Sequence, residues 1–406
     1  MKPAALIFIF YSAVVSAQHA LTLDEAVSTA LGNHPILMEG RQRIASSRGQ
    51  QRQAGLRYNP RLILQSENTR FPGSTPFVFW QETDDFAYLQ QTLEPAGKRG
   101  KRVELASQGL RAAELELEVL RTQISRNVRL AYWAAAGAQR MYGLLVENEK
   151  NFQQILQYHE ARVREGAMAE GDLLRVRLEA ERIALAANNA KLDATRARIA
   201  LFREMGQTAF PEVKLSEPLE LREDRLIAAE AEEALRRRPE AELARRRLDQ
   251  ARASLTLQQA NAKPNYDVLL GYKRTSGFNT LIGGFQVDLP LANRNQGNIE
   301  SAGADIKFAE ASQAAIDAII RAEVSAAQVE YETRRRQVSE LMGKFHEQAE
   351  ELSRIAQAAY RLGGADLLRL LDAERLRIDI EQMSNRALVD YRQSIVILES
   401  AMGILP

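Results

Sequence analysis

The sequence predicts a mainly α-helical protein with a small β part, four short strands set among long antiparallel helices. Three observations point there. The composition is that of long helices: Ala, Leu, Arg, Glu and Gln dominate, and aromatic residues are only 6%. Proline, which breaks helix interiors, is absent from two spans of equal length, 96–210 and 291–405. Two pairs of short segments outside those spans alternate between apolar and polar residues, as strands do.

The elements follow in order. A first helix is expected from Thr22 to Arg57, with Thr22 as N-cap and Glu25 at the capping-box spacing. Arg61–Arg70 and Asp84–Leu93 are β-compatible and flank a turn-rich tip, Phe71–Pro76. A long helix is expected over 98–164 and a return helix over 172–206. Residues 207–223, polar and with two prolines, read as a linker. A helix over 224–262 comes next. Tyr266–Arg274 alternates clearly, Gly277-Phe278-Asn279 reads as its turn, and 283–289 as the returning strand. A second long helix over 297–361 and a return helix over 366–402 complete the chain. Heptads run along these helices: Val103 through Phe152 every seven residues, Leu178, Leu185, Leu192 and Ile199 on the return helix, and Leu388, Tyr391, Ile395, Leu398 and Met402 near the end. Such rows read as coiled-coil seams.

The second half echoes the first. Pro35 and Pro60 are spaced like Pro239 and Pro264, Gly171–Arg175 resembles Ala365–Arg369, and Glu204-Met205-Gly206 resembles Ala401-Met402-Gly403. An internal two-fold repeat is expected, 18–206 and 224–406. A 67-residue helix spans about 100 Å and the half-length helices about 52–58 Å each. Two short helices therefore match one long one, which predicts a rod with strands at one end and helix turns at the other.

Charge and cysteine narrow the function. The 406 residues hold 54 basic and 53 acidic side chains, which does not point to nucleic acid. Cysteine is absent, which excludes disulfides, thiolate metal sites, cysteine nucleophiles and a lipidated N-terminal cysteine. The four histidines are scattered, and no catalytic, phosphate-binding or metal motif stands out, so no cofactor, no metal site and no enzyme activity are expected. Met1–Ala17 reads as a signal peptide, with Lys2, an apolar core over 4–15 and a small-residue cleavage site. No later segment is apolar enough to cross a bilayer as a helix.

Strands of about ten residues have the length of a tilted transmembrane β-strand. Four cannot close a barrel, and an open edge is not tolerated in lipid. Three copies would supply twelve strands, so a trimeric, 12-stranded barrel over an α-helical barrel is the simplest closed arrangement. Aromatics concentrate around the strands (Phe71, Phe77, Phe79, Trp80, Phe86, Tyr88, Tyr266, Tyr272, Phe278, Phe285), as interfacial girdles would require. Trp80, Tyr266 and Tyr272 are candidates for that interface. So are Lys98 and Arg99 of the basic run after the second strand, which would contact headgroups or anchor the helix start.

Leu21–Ala26 with Asn33-His34-Pro35, Leu93–Arg99, Leu289-Pro290-Leu291 with Asn293–Gly297, and Tyr360–Gly363 with Asp366-Leu367-Leu368 together resemble the TolC-type outer-membrane factors, with the cobalt–zinc–cadmium efflux branch nearest. The resemblance implies a homotrimeric channel-tunnel in the outer membrane of a Gram-negative bacterium, its mass mostly periplasmic and the linker equatorial. It implies docking to a periplasmic adaptor (a membrane fusion protein) and an inner-membrane pump of the resistance–nodulation–division type, with divalent heavy-metal cations as substrate. A duct for drugs or for type I protein secretion is the alternative. A periplasmic coiled-coil adaptor is the reading from another class, disfavoured by two hairpins and two strand pairs.

The two helix turns hold the remaining candidates. Gly166 and Gly363 suit helix ends, and Asp172 and Asp366 suit N-caps, so capping alone accounts for them. The resemblance adds adaptor contact at Gly166, Gly171, Leu173, Gly363, Gly364 and Leu367. It also adds gate or tip charges at Asp172, Arg175, Asp366, Arg369 and Asp372, which otherwise read as solvated helix charges.

Overall fold

The computed structural model describes residues 20–71, 73, 76–221 and 230–405. The expected signal peptide lies outside the described residues, as do Pro72, Ser74 and Thr75 of the strand tip and residues 222–229 around the end of the linker. The elements run β1 (Ala20–Leu21), α1 (Leu23–Asn33), α2 (Pro35–Ala54), β2 (Arg61–Glu67), α3 (Phe79–Glu82), β3 (Asp84–Leu93), α4 (Lys98–Arg164), α5 (Glu170–Glu204), β4 (Lys214–Leu215), α6 (Ala231–Arg237), α7 (Pro239–Asn261), β5 (Tyr266–Thr275), β6 (Phe278–Val287), α8 (Gln296–Arg336), a π-helical turn (Gln337–Met342), α9 (Gly343–Arg361) and α10 (Leu367–Ala401). The molecule is mainly helical with a few strands, as the sequence predicts. It divides into two units, one of residues 36–120 and 231–322, the other of 20–35, 121–221, 230 and 323–405.

The unit of residues 36–120 and 231–322 contains the sheet, four antiparallel strands in the order β2-β3-β5-β6. Ser276 and Gly277 have φ of 47° and 88° and form the whole loop between β5 and β6. Two consecutive positive φ values are the signature of a tight hairpin turn that matches strand twist. The expected turn at 277–279 is therefore one residue late, and β6 begins at Phe278 rather than at 283. Strand β2 stops at Glu67, three residues short of expectation, because Asn68 takes φ 60°. Beneath the sheet, helix contacts rest on small residues: a Cβ on Gly40 of α2 would stand 2.8 Å from Leu117 of α4.

The second unit is built from helices and the short β1–β4 pair. Thr22 caps α1 as a full capping box: its hydroxyl accepts from the Glu25 amide at 3.2 Å, and the Glu25 carboxylate accepts from the Thr22 amide at 3.0 Å. The expected helix 22–57 is broken at His34, which is extended (φ −62°, ψ 129°) because Pro35 follows it. In the unit that contains the sheet, Pro239 breaks the expected 224–262 helix in the same way, at extended Arg238. The expected 297–361 helix contains the π-helical turn, whose extra residue shifts the phase of every side chain after it.

Residues 207–221 are not a free linker. Strand β4 pairs in parallel with β1. The hydroxyl of Tyr132, which is fully buried, donates to Leu21 O at 2.8 Å and accepts from the Glu217 amide at 3.3 Å. Arg140 and Arg392 donate to the carbonyls of Leu219 and Pro218.

Leu145, Phe152, Val176, Ala180, Ile183, Ala187, Leu367, Leu370, Leu371 and Ile378 form one buried cluster among α4, α5 and α10. The seam expected at Leu388, Tyr391, Ile395, Leu398 and Met402 is buried. The seam expected on α5 is not: Leu178, Leu185, Leu192 and Ile199 are 40–62% exposed. Helix α5 buries the neighbouring row from Val176 to Ala190 instead, because that row holds the alanines that permit close helix approach.

Candidate functional site

Two regions carry functional geometry, one in each unit, and each is built from its own residues. In the sheet, register decides which side chains share a face. Leu62 and Leu64 on β2, Ala87, Leu89 and Leu93 on β3, Val268, Leu270 and Tyr272 on β5, and Leu281 and Phe285 on β6 fall on one side. This face is open: Leu281 is 86% exposed, Leu64 72% and Leu270 67%. The opposite face is mixed: Gln65, Glu67, Gln90, Thr92, Asp267, Lys273 and Gln286 lie among Ile63, Phe86, Tyr88, Leu269 and Ile282. Strands β2 and β6 are edges without a partner among the described residues. Gly271 lies directly opposite Tyr88, where a Cβ would come within 2.3 Å of the tyrosine Cβ and 2.4 Å of backbone atoms.

Aromatic and basic residues sit at both ends of this sheet. Arg274 lies over the Trp80 ring at 5.3 Å and Lys273 over Phe86 at 4.9 Å. The Tyr272 hydroxyl donates to Asn279 Oδ1 at 2.5 Å, and at the other end Tyr266 stacks on Phe285. Arg99 is exposed. Lys98 is not: its side chain is buried, and its ammonium donates to Lys263 O at 2.5 Å and Asn265 Oδ1 at 2.6 Å. Of the two roles open to it, Lys98 takes that of anchor to the helix start. Burial holds its pKa below the usual lysine value, against the pull of the nearby Glu94 carboxylate.

The helix turns lie in the second unit. Gly166 (φ 72°) and Gly363 (φ 75°) take the same position in the same motif. At the first turn the Ala167 amide donates to Arg162 O at 2.8 Å, and at the second the Gly364 amide donates to Ala359 O at 2.8 Å. Both are Schellman closures, which need a left-handed residue after the helix end. Asp366 caps α10, accepting from the Arg369 amide at 3.0 Å. Asp172 does not cap: α5 starts earlier, with Ala169 at the N-cap, and Asp172 pairs with Arg175 at 3.6 Å in the first turn.

Gly166, Gly171, Gly363 and Gly364 are exposed, and Leu173 is half-buried. Leu367 is only 6% exposed and belongs to the core, so it offers no contact surface. The apolar surface at the turns is Leu174, Leu368 and Leu362, the last 87% exposed. Arg369 and Asp372 are exposed on α10.

The strongest polar links near the turns involve residues that the sequence did not single out. Glu179 on α5 is 2% exposed and receives Arg182 at 2.6 Å and, across to α10, Arg375 at 2.5 Å. Burial pushes its carboxyl up, but the hydrogen bonds and charges of the two arginines outweigh this and hold it below the usual value. Glu374 on α10 is likewise buried and accepts from Ser353 (2.5 Å) and Gln357 (2.6 Å) of α9 and from Arg377 (3.1 Å). His159 is buried on α4: Nδ1–H donates to Ile155 O at 2.7 Å, so Nε2 is free to accept from the Tyr360 hydroxyl of α9 at 2.8 Å. The spacing of Glu179 and Arg182 was visible in sequence. The partners on other helices were not.

Residues 26–207 match the family model for outer membrane efflux proteins. The cobalt-zinc-cadmium resistance protein CzcC of Cupriavidus metallidurans is 26% identical over 284 residues, covering 70% of this chain and 66% of that protein, just under two thirds of its length. The solved structure of CusC superimposes with a TM-score of 0.79 at 19% identity, over 94% of this chain and 92% of that one. The open state of the Neisseria gonorrhoeae MtrE outer membrane channel does so with a TM-score of 0.78 at 19% identity, over 94% and 88%. The first half of this chain thus resembles the outer membrane efflux proteins, and nearly its whole length has the fold of these channels.

Proposed function

We propose that the protein is the outer-membrane duct of a tripartite efflux system, a passive channel that catalyses nothing. The observation that carries this reading is the sheet: one face rich in exposed apolar side chains, an opposite face that mixes polar and apolar ones, and two edges without a partner among the described residues. Such a sheet is unstable alone in water, because of its apolar face, and in lipid, because of its edges. Three copies joined edge to edge remove both problems and give twelve strands around a lumen. The exposed heptad row on α5 supports the same assembly, since Leu178, Leu185, Leu192 and Ile199 would be covered by a neighbouring copy. The repeated halves, 18–206 and 224–406, would then alternate around the ring.

In this reading the helix turns face the periplasm. Gly166, Gly171, Leu173, Gly363 and Gly364 would receive the adaptor, with Leu362 and Leu174 as the apolar contacts in place of Leu367. Asp172, Arg175, Asp366, Arg369 and Asp372 would set the charge near the opening. The Glu179–Arg375 link would hold α5 to α10 at rest, and a resistance–nodulation–division pump would drive transport. Divalent heavy-metal cations are the proposed cargo, on the strength of the resemblance to CzcC, with drugs as the second candidate.

The test is heat-modifiable migration and crosslinking of the detergent-extracted membrane fraction. A detergent-stable trimer from the outer membrane is expected. A soluble periplasmic monomer would overturn the barrel. Loss of cobalt, zinc and cadmium tolerance on deletion, with drug tolerance unchanged, is expected for a metal cargo, and the reverse pattern would replace it.

A further inference from the structure

We propose that a basic collar at one end of the sheet docks the phosphates of anionic phospholipid headgroups. The collar is at the end where β2 and β5 begin and β3 and β6 finish. The proposal rests on the reading of the sheet as membrane-spanning.

Several contacts gather the collar. Arg102 donates to Leu56 O at 3.4 Å and lies over the Tyr58 ring at 5.9 Å, Gln91 donates to Tyr58 O at 3.1 Å, and Lys98 ties the start of α4 to Lys263 and Asn265. Around this knot Arg57, Arg61, Arg99, Lys263 and Arg294 are exposed, and among the described residues none of them pairs with a carboxylate. The carboxylates nearest the strand ends are few. Glu94 is held by Arg102, and Asp267 accepts from Thr92 at 2.5 Å, which leaves Asp288.

Apolar groups lie among the cations: Leu56 and Tyr58 are about half exposed, Leu289 70% and Leu291 77%. An arginine in this setting lays its stem along apolar surface and presents its guanidinium fork to a phosphate. The opposite end of the sheet differs. There Arg70 pairs with Glu82, Lys273 and Arg274 lie over aromatic rings, and Glu67, Asp84 and Asp85 offset the charge. Free positive charge is thus confined to one end, which specifies one leaflet.

The test uses the full detergent-solubilised chain and vesicles of phosphatidylcholine, either pure or with a third replaced by phosphatidylglycerol. Co-flotation and heat-modifiable migration report insertion. The helical mass keeps the collar end outside the vesicle, so it meets the outer leaflet. Insertion into the anionic vesicles is expected to be about ten-fold greater or more, and to fall with added salt. The triple variant R57Q/R99Q/R294Q is expected to lose the preference, and R57K/R99K/R294K to keep it, which separates charge from folding. K273Q/R274Q, at the other end, is expected to leave it unchanged. Equal insertion of the wild type into both vesicles, or a preference surviving in the glutamine variant, overturns the collar while the spanning sheet stands. A monomer that floats with neither vesicle overturns the spanning sheet and the collar with it.

Discussion

Glu179 and Arg375 join two helices through a carboxylate that water barely reaches. Both Nε and Nη2 of Arg375 donate to Glu179 Oε2, at 2.9 and 2.5 Å, while Arg182 occupies Oε1. Glu179→Gln keeps the shape and removes the charge, leaving two arginines without their anion. Both arginine side chains are about half exposed, so solvent takes up part of the loss. The expected destabilisation is about 1–2 kcal/mol, below the range for fully buried pairs. Thermal melting of E179Q, R375Q and the double variant tests this. Additive losses would show that the two residues do not act as a pair.

The same carboxylate gives the protein an acid limit. Its pKa is lowered by folding, so its contribution is complete above the ordinary 4.5 and disappears as pH falls through the lower folded value. His34 adds an earlier step. Burial lowers its pKa below 6.5, against the pull of Glu204, so the folded state holds it neutral. Stability is therefore expected to decline first as pH drops below 6.5, then again below 4.5. His34→Gln is expected to remove the first decline and spare the second. A melting temperature independent of pH between those values would contradict the assignment to His34.

Much of this was legible in sequence for identifiable reasons. Periodicity fixes existence and type of element, so the long helix 98–164 and the strand 84–93 fall where the residues put them. Pro35 and Pro239 sit between segments of helical composition, and those two helices break where extended His34 and Arg238 precede a proline. The row at Leu178–Ile199 reads as a heptad seam, and in the single chain it is exposed. Periodicity shows that a face is apolar, not which chain covers it. The buried links of Glu179 and Glu374 were invisible because each depends on a side chain from another helix.

Gly137 of α4 is a contact that no sequence pattern announced. A Cβ there would lie 2.1 Å from Val389 Cγ2 of α10, while Asn385 donates to the Gly137 carbonyl at 2.9 Å. Gly137→Ala is expected to cost about 1–3 kcal/mol as an overpacking change. Val389→Ala removes the obstructing methyl and leaves Val389 Cβ at 3.5 Å, so the G137A/V389A pair should recover most of the loss. Failure of that rescue in thermal melts would place the strain in the backbone instead.

Gly271 behaves differently under the same substitution. Its obstructing atoms are Tyr88 Cβ, Tyr88 Cα and the Ala87 carbonyl oxygen, none of which a side-chain truncation at Tyr88 to alanine removes. Gly271→Ala should therefore push β3 from β5 and reduce the heat-modifiable species, and Y88A should not restore it. Restoration by Y88A would show that the tyrosine ring, not the backbone, sets the spacing.

The exposed row on α5 offers the sharpest separation of folding from assembly. Leu185 is 62% exposed and Leu192 47%, so a charge at either place meets water in a single chain and costs that chain little. In a ring the same charge would enter a helix seam, where an unpaired carboxylate carries a desolvation penalty of several kcal/mol. Leu185→Glu is expected to leave helical content unchanged while lowering the trimer fraction on crosslinking. Glu181 lies one turn earlier on α5, and E181Q provides a control for charge nearby. If L185E crosslinks as well as the wild type, the row faces lumen or solvent, and neighbouring copies must meet through other helices.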